Sequence, residues 1–410
     1  MQTIAGQIKL VAESSSTRMP ELDGLRGIAI FLVLIWHYVF NLLGFGPGSF
    51  GAYVLASLRL TWSGVDLFFV LSGFLICGIL MDNRSSNNFF KVFYVRRICR
   101  IFPLYYFWLF LFCILLWEAH LSFLQVNLAW LVIPPMPLWS YASFSQNIFM
   151  GLRETFGASW MGITWSLAVE EQFYCVLPFI IRYLSPRKLP WFLVGCIVAA
   201  PLLRVALAFS FSSGAFAAYV LTPCRADSLL LGALCAWMVR QQQIAQFLAN
   251  HTRTLYAAFT ILLLGTAILD HKYDPLFSYG WQNLGYTWLA LFYSCVLLIV
   301  VTEKNGILKM IATNFLLRRL GIIAYGVYIF HVGVLGLTHW LVLHQNPEMQ
   351  NIQDVAVTVL ALITTLTLAT LSWKLFEKPI VAMGHVLQYQ KTVAKPWVTV
   401  RSMAATSDRP

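Results

Sequence analysis

Residues 18–40 read RMPELDGLRGIAIFLVLIWHYVF, alternating charges followed by a near-continuous apolar run that contains His37. A membrane-crossing helix needs about 20 apolar residues, and residues 26–45 supply them. An imidazole at that depth is expensive. Ionisable groups inside a bilayer face the protein interior and mark functional sites. Arg26 stands eleven residues before His37. Eleven residues make almost three turns of a helix, so the two side chains share a face, about 16 Å apart along the axis. Arg26 is then expected at the water interface and His37 near mid-bilayer.

The same pattern recurs along the chain. Of 410 residues, 59% are hydrophobic and 11% charged, with a mean hydropathy of +0.71, whereas a soluble chain carries about a quarter charged residues. Further stretches long enough to cross lie at 63–82, 99–118, 164–184, 191–211, 222–240, 254–270, 284–302, 318–341 and 354–375. They lack the alternating polarity of a barrel. The expected fold is an all-α integral membrane protein, a bundle of about ten transmembrane helices. The net charge of +11 would suit nucleic acid, but 23 of the 28 lysines and arginines fall at the N-terminus, in the even-numbered connections and in the C-terminal tail. That is the positive-inside distribution with both termini cytoplasmic. It makes the lipid bilayer the partner, in a multi-pass protein of the inner (plasma) membrane, and leaves no role for nucleic acid.

The organisation that follows is a cytoplasmic N-terminal tail at 1–20, one membrane domain at 21–380 and a cytoplasmic C-terminal tail at 381–410. Residues 1–17 are polar and lack an apolar signal-peptide core, so the first span reads as a retained anchor. The eight cysteines form no CxxC pair and nearly all fall inside spans, as reduced, small hydrophobes do. Two outer connections, 119–163 and 270–283, are rich in aromatic residues. An interfacial belt explains them, and stacking against a substrate is the alternative. No internal repeat is visible, which weakens a transporter built from duplicated halves.

The remaining ionisable residues within spans are few. WSGVDLFFVLSGFL opens the second span, with Asp66 near the outer end and Ser72 and Gly73 deeper. Ser72 and Gly73 also suit close helix approach. FYVRRICRIFPLYY places Arg97 and Arg100 one turn apart, and guanidinium forks match phosphate. TWSLAVEEQFY carries Glu170 and Glu171, for which Arg204 or Arg225 are possible ion-pair partners. AYGVYIFH puts His331 about 20 Å beyond the start of its span near Arg318, at a depth comparable to His37. LFEKP ends the last span with Glu377. No zinc motif, phosphate-binding loop, nucleophile elbow or dinucleotide fingerprint occurs, and no metal site is expected.

Seven stretches, ELDGLRGIAIFLVLIWH, GVDLFFVLSGFLI, RRICRIFPLYY, WSLAVEEQFY, RADSLLLGAL, AYGVYIFH and FEKP, occur in the order found in the acyltransferase 3 family of integral-membrane acyltransferases. The resemblance covers roughly residues 20–380. It implies ten spans and transfer of an acyl group, typically acetyl, from cytoplasmic acyl-CoA to a hydroxyl of an extracytoplasmic saccharide, lipid-linked or free, such as lipopolysaccharide or exopolysaccharide. Acyl-CoA would be a donor substrate, with no permanently bound cofactor. By the same resemblance His37 is the catalytic base and Glu170 a second catalytic residue. Arg97, Arg100 and Arg26 serve the donor, and Asp66, Trp165, Glu171, Tyr174 and His331 surround the acceptor. Ala324 stands where the family often has serine. Some relatives carry a C-terminal hydrolase-like domain, which is not expected here. Transfer of a longer acyl group, a non-carbohydrate acceptor and a proton-coupled transporter are the competing readings.

Overall fold

The computed structural model describes residues 19–45, 49–120, 129–211, 214–273, 277–278 and 280–390. Residues 1–18 and 391–410 of the two tails, and residues 121–128, 274–276 and 279 of the aromatic connections, lie outside them. The described residues form helices and no strand. Ten long helices occupy the ten expected stretches: α1 (Pro20–Ile35), α2 (Gly64–Asp82), α3 (Phe89–His120), α4 (Trp165–Tyr183), α5 (Leu189–Ser210), α6 (Thr222–Met238), α7 (Thr252–Lys272), α8 (Tyr286–Thr302), α9 (Phe315–Leu343) and α10 (Ile352–Ser372). A shorter α11 (Lys378–Val386) follows. By length and composition eight segments are able to cross a membrane. The two long helices outside that set are α4, which carries Glu170, Glu171 and Arg182, and α6, which has 17 residues.

Helices in lipid gain little from burying apolar side chains against one another, so close backbone approach and polar pairing hold them together. Both devices are present. α1 and α9 run parallel, with Gly24 against the Ala312 carbonyl, Gly27 against the Leu317 carbonyl and Gly321 against the Asp23 carbonyl. α2 and α6 cross where Gly73 meets the Leu229 carbonyl and Gly232 the Val70 carbonyl. Near that crossing Asp66 pairs with Arg225, and Arg204 pairs with Asp227 at 2.9 Å, all four side chains being shut off from the surface. Neither Glu170 nor Glu171 pairs with these arginines. An outer layer of short helices between α3 and α4 is tied down by Gln172, whose amide donates to the Phe144 carbonyl at 2.8 Å and to Asn147 at 2.9 Å.

Contacts at the helix ends sort the bundle into two sides. One side holds the pairs Lys309–Glu21 at 3.8 Å and Arg240–Asp82 at 2.6 Å, with Arg84 capping the Leu184 carbonyl at 2.6 Å. The other holds Arg59–Asp270 at 3.0 Å and the Met349 amide on the Leu42 carbonyl at 2.9 Å. Pro20 and Val386 lie on the same side, the arginine-rich one.

Three helix ends widen into a turn with i to i+5 hydrogen bonding: Trp36–Phe40 after α1, Trp281–Gly285 before α8 and Trp373–Glu377 after α10. In the first, the Asn41 amide reaches the Trp36 carbonyl at 3.0 Å. Such turns recur at functional sites, and this one carries His37.

Candidate active site

α1, α2, α3, α4 and α9 enclose a narrow cavity of about 110 Å³. Small-molecule sites are typically about 300–1,000 Å³, so in this conformation it is a tight slot. Arg26, Arg97 and Arg100 line it near the arginine-rich side, and Ser72, Glu170, Tyr174, Tyr325 and Tyr328 line it further in. Ser166, in the first turn of α4 at the opposite side, also lines it. The slot therefore runs along the bundle axis.

Each polar lining group is held differently. Arg100 lies 4.0 Å from Glu377 and stacks over the rings of Trp373 and Tyr325, at 5.0 and 5.8 Å. Asp23, one turn back on α1, is 3.7 Å from Arg26. Among the described residues no hydrogen bond or ion pair forms to the Arg97 guanidinium. Glu170 accepts from the Ser72 hydroxyl at 2.7 Å and from the Tyr174 hydroxyl at 3.3 Å. Tyr328 donates to the Ile163 carbonyl at 2.8 Å and so accepts from Ser166 at 2.6 Å.

Next to the slot, α1 and α9 bring His37 and His331 together, edge to face with ring centroids 4.7 Å apart. Helical depth had placed them level, and the structure makes them neighbours. Each ring turns Nδ1 toward a main-chain carbonyl: Val33 at 3.0 Å for His37, Tyr328 at 2.7 Å for His331. A carbonyl only accepts, so Nδ1 carries the proton in both neutral rings and Nε2 is left as a lone-pair base. His331 Nε2 is buried with no hydrogen-bond partner among the described residues. His37 is only half-buried, so its Nε2 is the more reachable. Tyr328 joins the two parts, because its ring lines the slot and lies 5.6 Å from the His331 ring.

The other expected site residues divide. Tyr174 lines the slot. Asp66 does not: it is 1% exposed and committed to Arg225. Trp165 packs between Phe69 and Tyr219 at 6.0 and 4.6 Å. Glu171 turns away from the slot, with one carboxylate oxygen buried and unpartnered among the described residues. The close approach expected at Ser72–Gly73 is made by Gly73, which admits α6, while Ser72 faces Glu170. Ser166, Tyr325 and Tyr328 escaped the sequence reading. The signal for the tyrosines was their spacing, since Tyr325, Tyr328 and His331 follow one another at i, i+3 and i+6 and share a face of α9. Ala324, on the same helix, also lines the slot.

Comparison with known proteins gives a consistent picture. The chain is 28% identical over 381 residues to YrhL of Bacillus subtilis, covering 89% of this chain and 55% of that protein. It is 27% identical over 393 residues to the peptidoglycan O-acetyltransferase OatA of Listeria monocytogenes, covering 92% of this chain and 58% of that one. It is 24% identical over 381 residues to the O-acetyltransferase OatA of Staphylococcus aureus, covering 89% and 58%. The chain thus spans little more than half the length of the curated relatives it matches. No solved structure matches it. The family model described as an acyltransferase domain covers residues 19–374, and the chain belongs to the acyltransferase 3 family of membrane proteins.

Proposed function

We propose that this protein is an O-acyltransferase that moves an acetyl group from cytoplasmic acyl-CoA to a hydroxyl of a saccharide on the far side of the membrane. The observation that carries this reading is one slot, lined by three arginines from two helices at the charged side and further in by Tyr328, which lies beside a pair of lone-pair imidazoles. Phosphates suit the arginines, and a pantetheine arm is thin enough to thread the slot. The names of two relatives, a peptidoglycan O-acetyltransferase and an O-acetyltransferase, support a saccharide acceptor and an acetyl group.

In this mechanism His37 Nε2 takes the proton of the acceptor hydroxyl as its oxygen attacks the thioester carbonyl. The C–S bond then breaks, and the departing thiolate recovers a proton from the imidazolium. The Val33 carbonyl fixes the tautomer that this role requires. Tyr328 stands between the slot and the His331 ring, so in this mechanism its ring swings aside for the thioester to meet His37. Glu170, held by Ser72 and Tyr174, is placed to order the donor arm across from the arginines. Removing a general base lowers a rate by roughly 10²–10⁴-fold. The test is mass spectrometry of envelope glycans from cells expressing the wild type or His37→Gln at equal membrane levels. Loss of the ester mass in the variant is expected. Undiminished esterification would sink the mechanism, and a wild-type protein that binds no acetyl-CoA would favour a carrier.

A further inference from the structure

The match to the family ends at residue 374, yet the chain stays packed for sixteen residues more, to Gln390. This segment lies on the cytoplasm-directed start of α3, the helix that supplies Arg97 and Arg100. Gly384 seats against it so tightly that a Cβ there would stand 2.9 Å from Cys99 Cβ. The Leu387 carbonyl accepts from Arg96 Nε and Nη2, at 3.3 and 2.9 Å. The Tyr389 ring lies 5.2 Å from the same guanidinium. Asn88, just before α3, fastens the end at two points: its amide donates to the Gln388 carbonyl at 2.9 Å, and its carbonyl accepts from the Gln390 amide at 2.9 Å.

This arrangement distributes the arginines unequally. The main chain of Leu387 and the ring of Tyr389 engage Arg96. Arg97, the next residue, lines the slot with no ion pair or hydrogen bond among the described residues. Tyr389 Oη is buried and also lacks a partner among them. Burial keeps that phenol above its ordinary pKa although Arg96 and Arg97 pull the other way, so at neutral pH it carries its proton. A buried hydroxyl without a partner is costly. The same arginine cluster holds Arg97, a half-buried guanidinium with no partner among the described residues. An N–H cation and an O–H donor both lacking an acceptor call for an anionic oxygen.

We infer that the segment Lys378–Gln390 is part of the donor site, with Tyr389 Oη and Arg97 binding a phosphate of the nucleotide head. This rests on the acyl-CoA reading of the slot and adds to it a residue outside the family match. Asn88 is the positioning residue that holds the segment in place.

The test uses the full chain in lipid nanodiscs and three probes: acetyl-CoA, adenosine 3′,5′-bisphosphate as the head alone, and pantetheine as the arm alone. Tyr389→Phe removes only the hydroxyl, and loss of one hydrogen bond to a charged group corresponds to a weakening of about tenfold or more. The dissociation constants of acetyl-CoA and of the bisphosphate should rise by that factor, with pantetheine unchanged. Asn88→Ala, which keeps the hydroxyl but unfastens the segment, should weaken the same two probes. Wild-type affinity for the bisphosphate in both variants would overturn the inference and leave the acyl-CoA reading intact. A wild-type protein that binds neither acetyl-CoA nor the bisphosphate would overturn both.

Discussion

At the scale of single residues, the structure sets the three slot arginines apart from the histidine pair, and the proposed mechanism gives the first to binding and the second to reaction. Arg97→Ala should raise the donor KM by about tenfold or more, as loss of a charged hydrogen-bond donor does, with a smaller effect on kcat. Steady-state kinetics on membranes with varied acetyl-CoA checks this, and an unchanged KM would remove Arg97 from the donor site. His37→Gln should act the other way, on kcat. The placement of several of these side chains was legible beforehand. Arg26 and His37 share a helix face by simple periodicity, and Arg97 and Arg100 declare themselves by one-turn spacing. Asp66 and Trp165 were expected beside the acceptor, while the structure commits Asp66 to a buried ion pair and packs Trp165 among aromatic rings. Local spacing cannot reveal that Asp66 meets Arg225 from a helix 159 residues later.

At the scale of helices, glycines set the distances on which the site depends. A methyl group at Gly27 would run into the Leu317 carbonyl, and one at Gly73 into the Leu229 carbonyl. Gly27→Ala should therefore push α1 from α9 and cost about 1–3 kcal/mol, the usual range for overpacking. It should also lower turnover, because the same two helices carry His37 and His331. Gly195→Ala, at a position where a Cβ meets nothing within 4 Å, is the control. Thermal unfolding in detergent reads both, and equal midpoints would contradict the packing argument. Asp66→Asn should be more damaging, by about 3–5 kcal/mol, because it strands the buried Arg225. The sequence marks where each helix lies, since the apolar runs match α1 to α10 closely. It does not mark the widened turns, which depend on how the finished helices pack.

At the scale of the whole molecule, the two sides of the bundle carry the topology. Lys304 and Asn346, both exposed, bracket α9. In a cysteine-free background, Lys304→Cys should react with a membrane-impermeant maleimide only in inverted vesicles, and Asn346→Cys only in intact cells. The opposite labelling would reverse the positive-inside assignment and leave the slot facing the wrong compartment for acyl-CoA. Charge distribution is what argues for this orientation, whereas the packing of residues 381–390 against α3 was not readable, because a polar tail and a docked one have similar composition. The widened turn at Trp36–Phe40 carries one further consequence. A regular helix holding one surplus residue takes this form, so the first span has a fixed length as well as a fixed character. Deleting any single leucine or isoleucine between Arg26 and His37 would leave it fully able to enter the bilayer. It would nevertheless turn His37 by about 100° and draw it back by about 1.5 Å, away from its neighbour. In-frame deletions there should yield a protein that inserts and accumulates normally yet is inert, whereas the same deletions among residues 43–45, past the histidine and the Leu42 carbonyl, should be tolerated.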